Sequence, residues 1–308
     1  MEFQVGLVFQ VRFCGNKTLI QASYRNITMT KFKMVRGHPF PDQPWFPTKH
    51  IEETMDYVPG EGDIIIASYP KTGTTWLSYI VLQIISKGKN FPSFKECHLK
   101  FVPLMEATGA SVVDEMKSPR VYKHHCPYDI VKKNPNSKCL YIYRNPEDTL
   151  VSYYHFASNV EDTEIPFDEF FEDFLSGNMA HGHYLRHVLS FLAHKDDSNL
   201  LLISYEKLLA DTKGEILRMA KFLGEEYLSS LLQDESLLNQ IIECSSFDHM
   251  KKNLPVVNPR SQGNLNFFRK GKIGEGKKST TLEQLSSLLS LVQKMFEGTE
   301  LLKEWIPN

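Results

Sequence analysis

The sequence has few cysteines, no large excess of either charge and no long apolar run. Its five cysteines, Cys14, Cys97, Cys126, Cys139 and Cys244, are odd in number and include no C-x-x-C pair. That pattern excludes a disulfide frame and a zinc knuckle, and it fits a reduced, cytoplasmic chain. The formal net charge is −2 over 308 residues, so the surplus of Lys and Arg that gives general affinity for nucleic-acid backbones is missing. Any anion site must therefore be local. The longest apolar run, Trp76 to Ile85, is about half of the ~20 residues needed to span a bilayer. Met1 to Phe13 is interrupted by Gln4, Gln10 and Arg12 without a cleavage signature, so neither a membrane anchor nor a signal peptide is expected. No repeat or low-complexity tract divides the chain. One α/β domain over residues 35–308 is expected, preceded by a poorly ordered N-terminal extension, residues 1–34.

What the sequence does contain is centred on Ser68-Tyr69-Pro70-Lys71-Thr72-Gly73-Thr74-Thr75-Trp76. An apolar run, Ile64 to Ala67, precedes it and an apolar helix pattern through Ile85 follows. The stretch therefore reads as a turn between a buried strand and a helix. Such a turn gathers free backbone N–H groups and the positive helix end at one place, which suits a phosphate-like anion. A nucleotide-hydrolysing P-loop has its Lys after the second Gly, whereas Lys71 precedes the single Gly73. The loop is P-loop-like in position and different in letters.

Further strands are expected at Arg120 to Lys123, Lys138 to Tyr143 and Asn199 to Tyr205, alternating with helices. That alternation predicts a central, mostly parallel sheet flanked by helices. The first of these strands ends at His124-His125-Cys126-Pro127, on the sheet edge where open α/β folds bind ligands. Adjacent strand residues face opposite sides, so one of the two histidines reaches such a site, and the spacing does not choose between them. After the next strand comes Arg144-Asn145-Pro146-Glu147-Asp148, with Asn145 as helix cap and Pro146 at the first helical position, leading on to Ser152. Val35 to Pro59 holds Pro39, Pro41, Pro44, Pro47 and Pro59, a density that predicts an extended surface segment with no helix. The spacing from Phe167 to Leu192 is helical, and His183 and His187 within it read as packed or solvated histidines rather than metal ligands. Asn253 to Ser279 is unpatterned, with Phe267-Phe268-Arg269-Lys270-Gly271 at its centre, and reads as a lid over an anion.

Together, the Lys71 loop, the His pair before Pro127, the Arg144 to Ser152 run and Arg269-Lys270-Gly271 resemble the cytosolic sulfotransferases from about Val35 to the C-terminus. The resemblance implies a sulfuryl group passed from 3′-phosphoadenosine 5′-phosphosulfate, as co-substrate, to a hydroxyl or amine of a small acceptor. Lys71 and the backbone of Thr72, Gly73, Thr74 and Thr75, with Trp76 beside them, would hold the 5′-phosphosulfate. Arg144 and Ser152 would take the 3′-phosphate, together with Arg269, Lys270 and Gly271. Tyr205, Ser245 and Phe247 match the adenine side. The family's catalytic histidine falls on His125 by register, with Lys71 and Lys123 as the accompanying catalytic cations.

The resemblance implies no metal, since a sulfuryl group carries less charge than a terminal phosphoryl, and no acidic Mg²⁺ partner follows any strand. It also implies neither a nucleic-acid nor a membrane partner. Two departures stand out. Gly276 occupies the place of a family Trp, which predicts a more flexible lid. The dimer motif survives only in part, as Lys277, Thr281, Leu282 and Ser286, so a homodimer is allowed but not by the usual motif. The expected acceptor carries a phenolic or alcoholic hydroxyl, in a pocket drawn from the Pro-rich segment, Phe91 to Met105 and Tyr154 to Val160.

Overall fold

The computed structural model describes residues 31–89, 91, 100–161, 165–254, 256–257, 264–265 and 268–306, with backbone alone at 8–14, 17–23, 161, 257, 264 and 265. Two antiparallel pairs come first, β1 (Val8–Cys14) with β2 (Lys17–Ser23) and β3 (Phe32–Val35) with β4 (His38–Pro41). The rest of the expected N-terminal extension lies outside the described residues, as does Phe267 of the expected lid. Next come β5 (Ile64–Ser68), β6 (Val121–His124), β7 (Lys138–Tyr143) and β8 (Leu200–Ser204). They form one parallel sheet in the order β6-β5-β7-β8. A two-residue pair, β9 (Val256–Val257) with β10 (Asn264–Leu265), closes the set.

The expected strands are thus all present, in a sheet covered on both faces. β5 is buried along its whole length, as a central parallel strand of continuous apolar residues must be. Ile64 and Ile66 of β5, with Leu140 and Ile142 of β7, face the helices Thr74–Ile85, Thr212–Leu223 and Glu235–Cys244. Ala67, Tyr141 and Tyr143 point the other way, toward Pro146–Glu161, Phe167–Ser176, Tyr184–Leu192 and Leu282–Met295. This is the period-2 alternation of a pleated strand. At the sheet's opposite end, Asp63 accepts two hydrogen bonds from Arg120 at 2.7 and 2.9 Å, tying the starts of β5 and β6 together.

Three expectations need correction. The Pro-rich segment does contain a helix, Thr48–Asp56, with Ile51, Thr54 and Met55 buried. Pro47 caps its start and Pro59 follows its end, so the prolines bracket a proline-free stretch instead of preventing it. The helical spacing of residues 167–192 belongs to two helices, because Gly177 adopts φ 78° and a Cβ there would lie 2.5 Å from that of His183. Finally, the segment around Gly276 is held down. Gly274 and Gly276 donate their N–H groups to Asp148 at 2.9 and 2.7 Å. The short helix Glu275–Ser279 thereby lies against the start of Pro146–Glu161.

A Cβ on Gly276 would sit 2.3–2.5 Å from the backbone and Cβ of Glu147. Gly276→Ala should therefore lower stability by about 1–3 kcal/mol, the usual effect of overpacking. Urea denaturation of the variant measures this, and an unchanged midpoint would show that the two segments separate freely.

Candidate active site

The sequence between β5 and the following helix forms the floor of the site. Lys71 adopts φ 71°, unusual for a residue with a side chain, and Gly73 follows at φ 115° as the cap residue of Thr74–Ile85. No side chain caps this helix, so its first N–H groups stay open to an anion. Only glycine fits at 73, because a Cβ would meet Tyr205 at 2.8 Å and Ile142 at 2.9 Å. Ser68 and Thr74 join their hydroxyls at 2.6 Å across the turn.

Above this floor lies a cavity of about 660 Å³ at the C-terminal ends of β5, β6 and β7. Its wall includes Lys71, Gly73, Thr74, Thr75 and Trp76 from the loop, and Lys123 and His125 from the end of β6. Arg144 and Ser152 follow β7, Tyr205 follows β8, and Ser245, Phe247, Arg269, Lys270 and Gly271 complete the wall. Of the residues singled out in the sequence, Thr72 alone does not reach this wall. It is fully buried, and its hydroxyl donates to the carbonyls of Tyr69 and Ile142 at 2.8 and 3.0 Å. The Ser245 hydroxyl is turned back to the Ile241 carbonyl at 2.7 Å. Tyr205 opens a helix, Tyr205–Ala210, rather than ending β8.

One end of the cavity is cationic. The Arg144 guanidinium lies 4.3 Å from the centre of the Tyr205 ring, donates to the Lys272 carbonyl at 2.8 Å and sits 3.5 Å from Asp148. The Lys71 ammonium lies 4.4 Å over the Phe156 ring. Burial, then the charges of Arg144 and Arg269, push the Lys71 amine down to about 7. Arg144 Nε and Trp76 Nε1 are buried polar atoms with no hydrogen-bond partner among the described residues.

The other end is apolar. Trp45 and Phe46 come from the Pro-rich segment, Leu104 from the second expected stretch, and Tyr153, Phe156 and Val160 from the helix after Arg144. Phe91 packs in the core against Tyr79 and Phe101 instead. Residues 92–99 lie outside the described residues.

The two histidines separate at the junction of these ends. His124 is buried, accepts the Cys126 N–H at 3.2 Å, and borders a small separate cavity of about 40 Å³ near Tyr122 and Tyr128. His125 faces the main cavity. Its Nδ1 is 2.8 Å from the Ser68 carbonyl, which can only accept, so Nδ1 carries the proton and Nε2 the lone pair. Burial, with Lys123 and Lys71 nearby, lowers the His125 imidazole to about 4 and keeps it neutral.

Two residues not expected at the site, Glu106 and His187, fix its backbone. Glu106 accepts the His125 N–H at 2.5 Å, and His187 Nε2 donates to the His125 carbonyl at 3.1 Å. His187 in turn faces the Tyr141 hydroxyl at 2.9 Å, while His183 caps its helix by accepting the Leu185 N–H. Both are therefore packed residues, as expected. His181, also unselected, lies edge-on to His125 with ring centres 5.4 Å apart. No group of three or more His, Cys, Asp or Glu able to hold a metal exists among the described residues, and no helix among them is long and apolar enough to cross a membrane.

A parallel α/β sheet with an uncapped helix start, clustered cations and a histidine in one cavity wall is the arrangement of an enzyme that handles an anionic donor. A family model described as a sulfotransferase domain matches residues 61–303, and the chain belongs to the sulfotransferase family. It is 32% identical to mouse sulfotransferase 1B1 over 288 residues, 87% of this chain and 93% of that protein. It is also 32% identical to guinea-pig (Cavia porcellus) 3-alpha-hydroxysteroid sulfotransferase over 270 residues, 82% and 90% of the two chains. The crystal structure of mouse sulfotransferase SULT7A1 complexed with PAP superposes with a TM-score of 0.71 at 24% identity, covering 89% of this chain and 98% of that one.

Because burial and the charges of Arg144 and Arg269 lower Lys71 to about 7, binding of an anion that restores its ordinary basicity should take up a proton at pH 8. Affinity should accordingly fall as the pH rises above 7. Calorimetry with adenosine 3′,5′-bisphosphate at pH 8, in buffers of different ionisation enthalpy, measures the uptake. A buffer-independent heat would contradict it, and Lys71→Arg should abolish the effect.

Proposed function

We propose that this chain transfers a sulfuryl group from 3′-phosphoadenosine 5′-phosphosulfate to the phenolic or alcoholic hydroxyl of a small apolar acceptor, with His125 as general base. The observation that carries this reading is the His125 tautomer: the Ser68 carbonyl binds Nδ1–H, which leaves a basic nitrogen on a ring facing the cavity. The open helix start and the unpaired Arg144 Nε and Trp76 Nε1 fit a ligand with phosphate and heteroaromatic groups. Lys71 and the N–H groups of Thr72 to Thr75 would hold the 5′ end. Arg144, Ser152, Arg269, Lys270 and Gly271 would hold the 3′-phosphate, and Trp76, Tyr205, Ser245 and Phe247 the adenine. The bound donor supplies an electrophilic sulfur on a good leaving group.

The protein's own part is proton transfer and charge compensation. His125 takes the acceptor proton while the acceptor oxygen bonds to sulfur and the sulfur to phosphate-oxygen bond breaks. Lys71 compensates the charge that gathers on the departing phosphate. Lys123 is held in the same wall, its ammonium donating to the Val102 carbonyl at 3.0 Å, and would compensate the sulfuryl oxygens. The catalytic domain is assigned to residues 35–308, and the location to the cytoplasm. Support for the acceptor class is the chamber itself, where Trp45, Phe46 and Tyr153 offer flat apolar walls. Turnover of a mixed panel of phenols, catecholamines and hydroxysteroids with ³⁵S-labelled donor, followed by product identification, tests it; no labelled product from any hydroxyl compound would reject it.

His125→Ala should lower kcat by about 10²–10⁴ and leave the affinity for adenosine 3′,5′-bisphosphate within about twofold. His124→Ala should leave kcat nearly unchanged, and the reverse pattern would reassign the base. In the wild type the His125 pKa lies below its ordinary value, so the competent neutral form persists down to about pH 4. The acid limb of kcat/KM should accordingly fall toward pH 4 and not near 6.5.

A further inference from the structure

Glu275 lies behind the lid cations of the site, in the segment right after Arg269-Lys270-Gly271. The residue is 7% exposed. Its carboxylate accepts from the Lys270 ammonium, lies 3.9 Å from Arg269 and is 3.4 Å from Lys278. The Lys270 hydrogen bond holds the Glu275 carboxyl below its ordinary range. The neighbouring backbone cannot follow the lid, because Gly274 and Gly276 on either side are both bound to Asp148. Gly276 moreover abuts the Glu147 backbone. The other carboxylate at this end, Asp148, is engaged by those two N–H groups and by Asn145. Glu275 is thus an anion held within reach of the lid cations.

We propose that Glu275 sets the affinity of the site for the 3′-phosphate, because its carboxylate competes with that phosphate for Lys270 and Arg269. This rests on assigning Arg269 and Lys270 to the 3′-phosphate. The device makes the lid exchange one anion for another, instead of adding a phosphate to an uncompensated cluster. It weakens binding of donor and bisphosphate product alike, and so keeps the product from lingering. Lys270 is half exposed, so water and salt screen the competing pair, and its effect corresponds to about three- to fivefold in affinity.

The test compares adenosine 3′,5′-bisphosphate with adenosine 5′-phosphate, which lacks the 3′ group, by calorimetry on the full chain. Glu275→Gln should tighten the bisphosphate about three- to fivefold and leave the monophosphate unchanged. Glu275→Asp, which keeps the charge but shortens its reach, should shift in the same direction by less, and it serves as the readout if the Gln variant does not fold. Lys270→Ala should weaken the bisphosphate alone. If Lys270→Ala weakens it but neither Glu275 variant tightens it, the proposal is wrong while the lid assignment stands. If Lys270→Ala changes nothing, the lid assignment fails and the proposal with it. Equal tightening of both nucleotides would mean a general charge effect and would also overturn it.

Discussion

Lys71, Arg144 and Arg269 share one cavity wall, and their mutual repulsion is the constraint around which the rest of the site is arranged. Burial and the neighbouring charges lower the basicity of both Lys71 and Arg269. Without an anion such a cluster is unfavourable, and the fold offsets it in three ways. Arg144 lies on the Tyr205 ring and on the Lys272 carbonyl, Lys71 lies over Phe156, and the lid cations meet Glu275. Each of these is a soft substitute for a phosphate or sulfate oxygen.

The same sheet edge solves a different problem at His125. The proposed general base needs a known tautomer and a fixed direction, and here both come from contacts at the sheet edge. The Ser68 carbonyl at the end of β5 sets the proton, while Glu106 and His187 hold the backbone N–H and carbonyl from opposite sides. Glu106 itself is fully buried, and burial raises its carboxyl to about 7. The hydrogen bonds from His125 and Cys126 act against that shift. His125 thus belongs to the rigid core although its ring faces the cavity.

How much of this could be read from the sequence depends on how far apart the interacting residues lie. The Ser68 to Trp76 turn, the Asn145 cap and the four strands were legible because each is made by neighbours in the chain. The strand-helix alternation and the apolar run of β5 pointed to the parallel sheet. Glu106, Asp148 and Glu275 gave no such signal. Glu106 meets His125 across 19 positions, and Asp148 meets Gly274 across 126. The reading of Gly276 as a loosened lid failed for the same reason. Counting against a motif shows that an aromatic side chain is missing, but not that the backbone there touches Glu147. Pleating alone left the choice between His124 and His125 open, and only register against the resembled motif selected His125. In the structure His125 lines the main cavity, while His124 lines the small one with Tyr122 and Tyr128.

The two ends of the cavity impose selectivity of different kinds. At the donor end, paired charges and buried N–H groups discriminate steeply, because a ligand lacking the matching phosphate leaves them uncompensated. At the acceptor end the walls are Trp45, Phe46, Tyr153, Phe156 and Val160, and an apolar chamber separates near neighbours by only about 1–3 kcal/mol per methylene. One nucleotide donor and a class of related acceptors is the combination this division produces. On the proposed mechanism the hydroxyl of an acceptor must reach His125 at the junction, so its position on the acceptor would be constrained more tightly than the shape of the body that carries it.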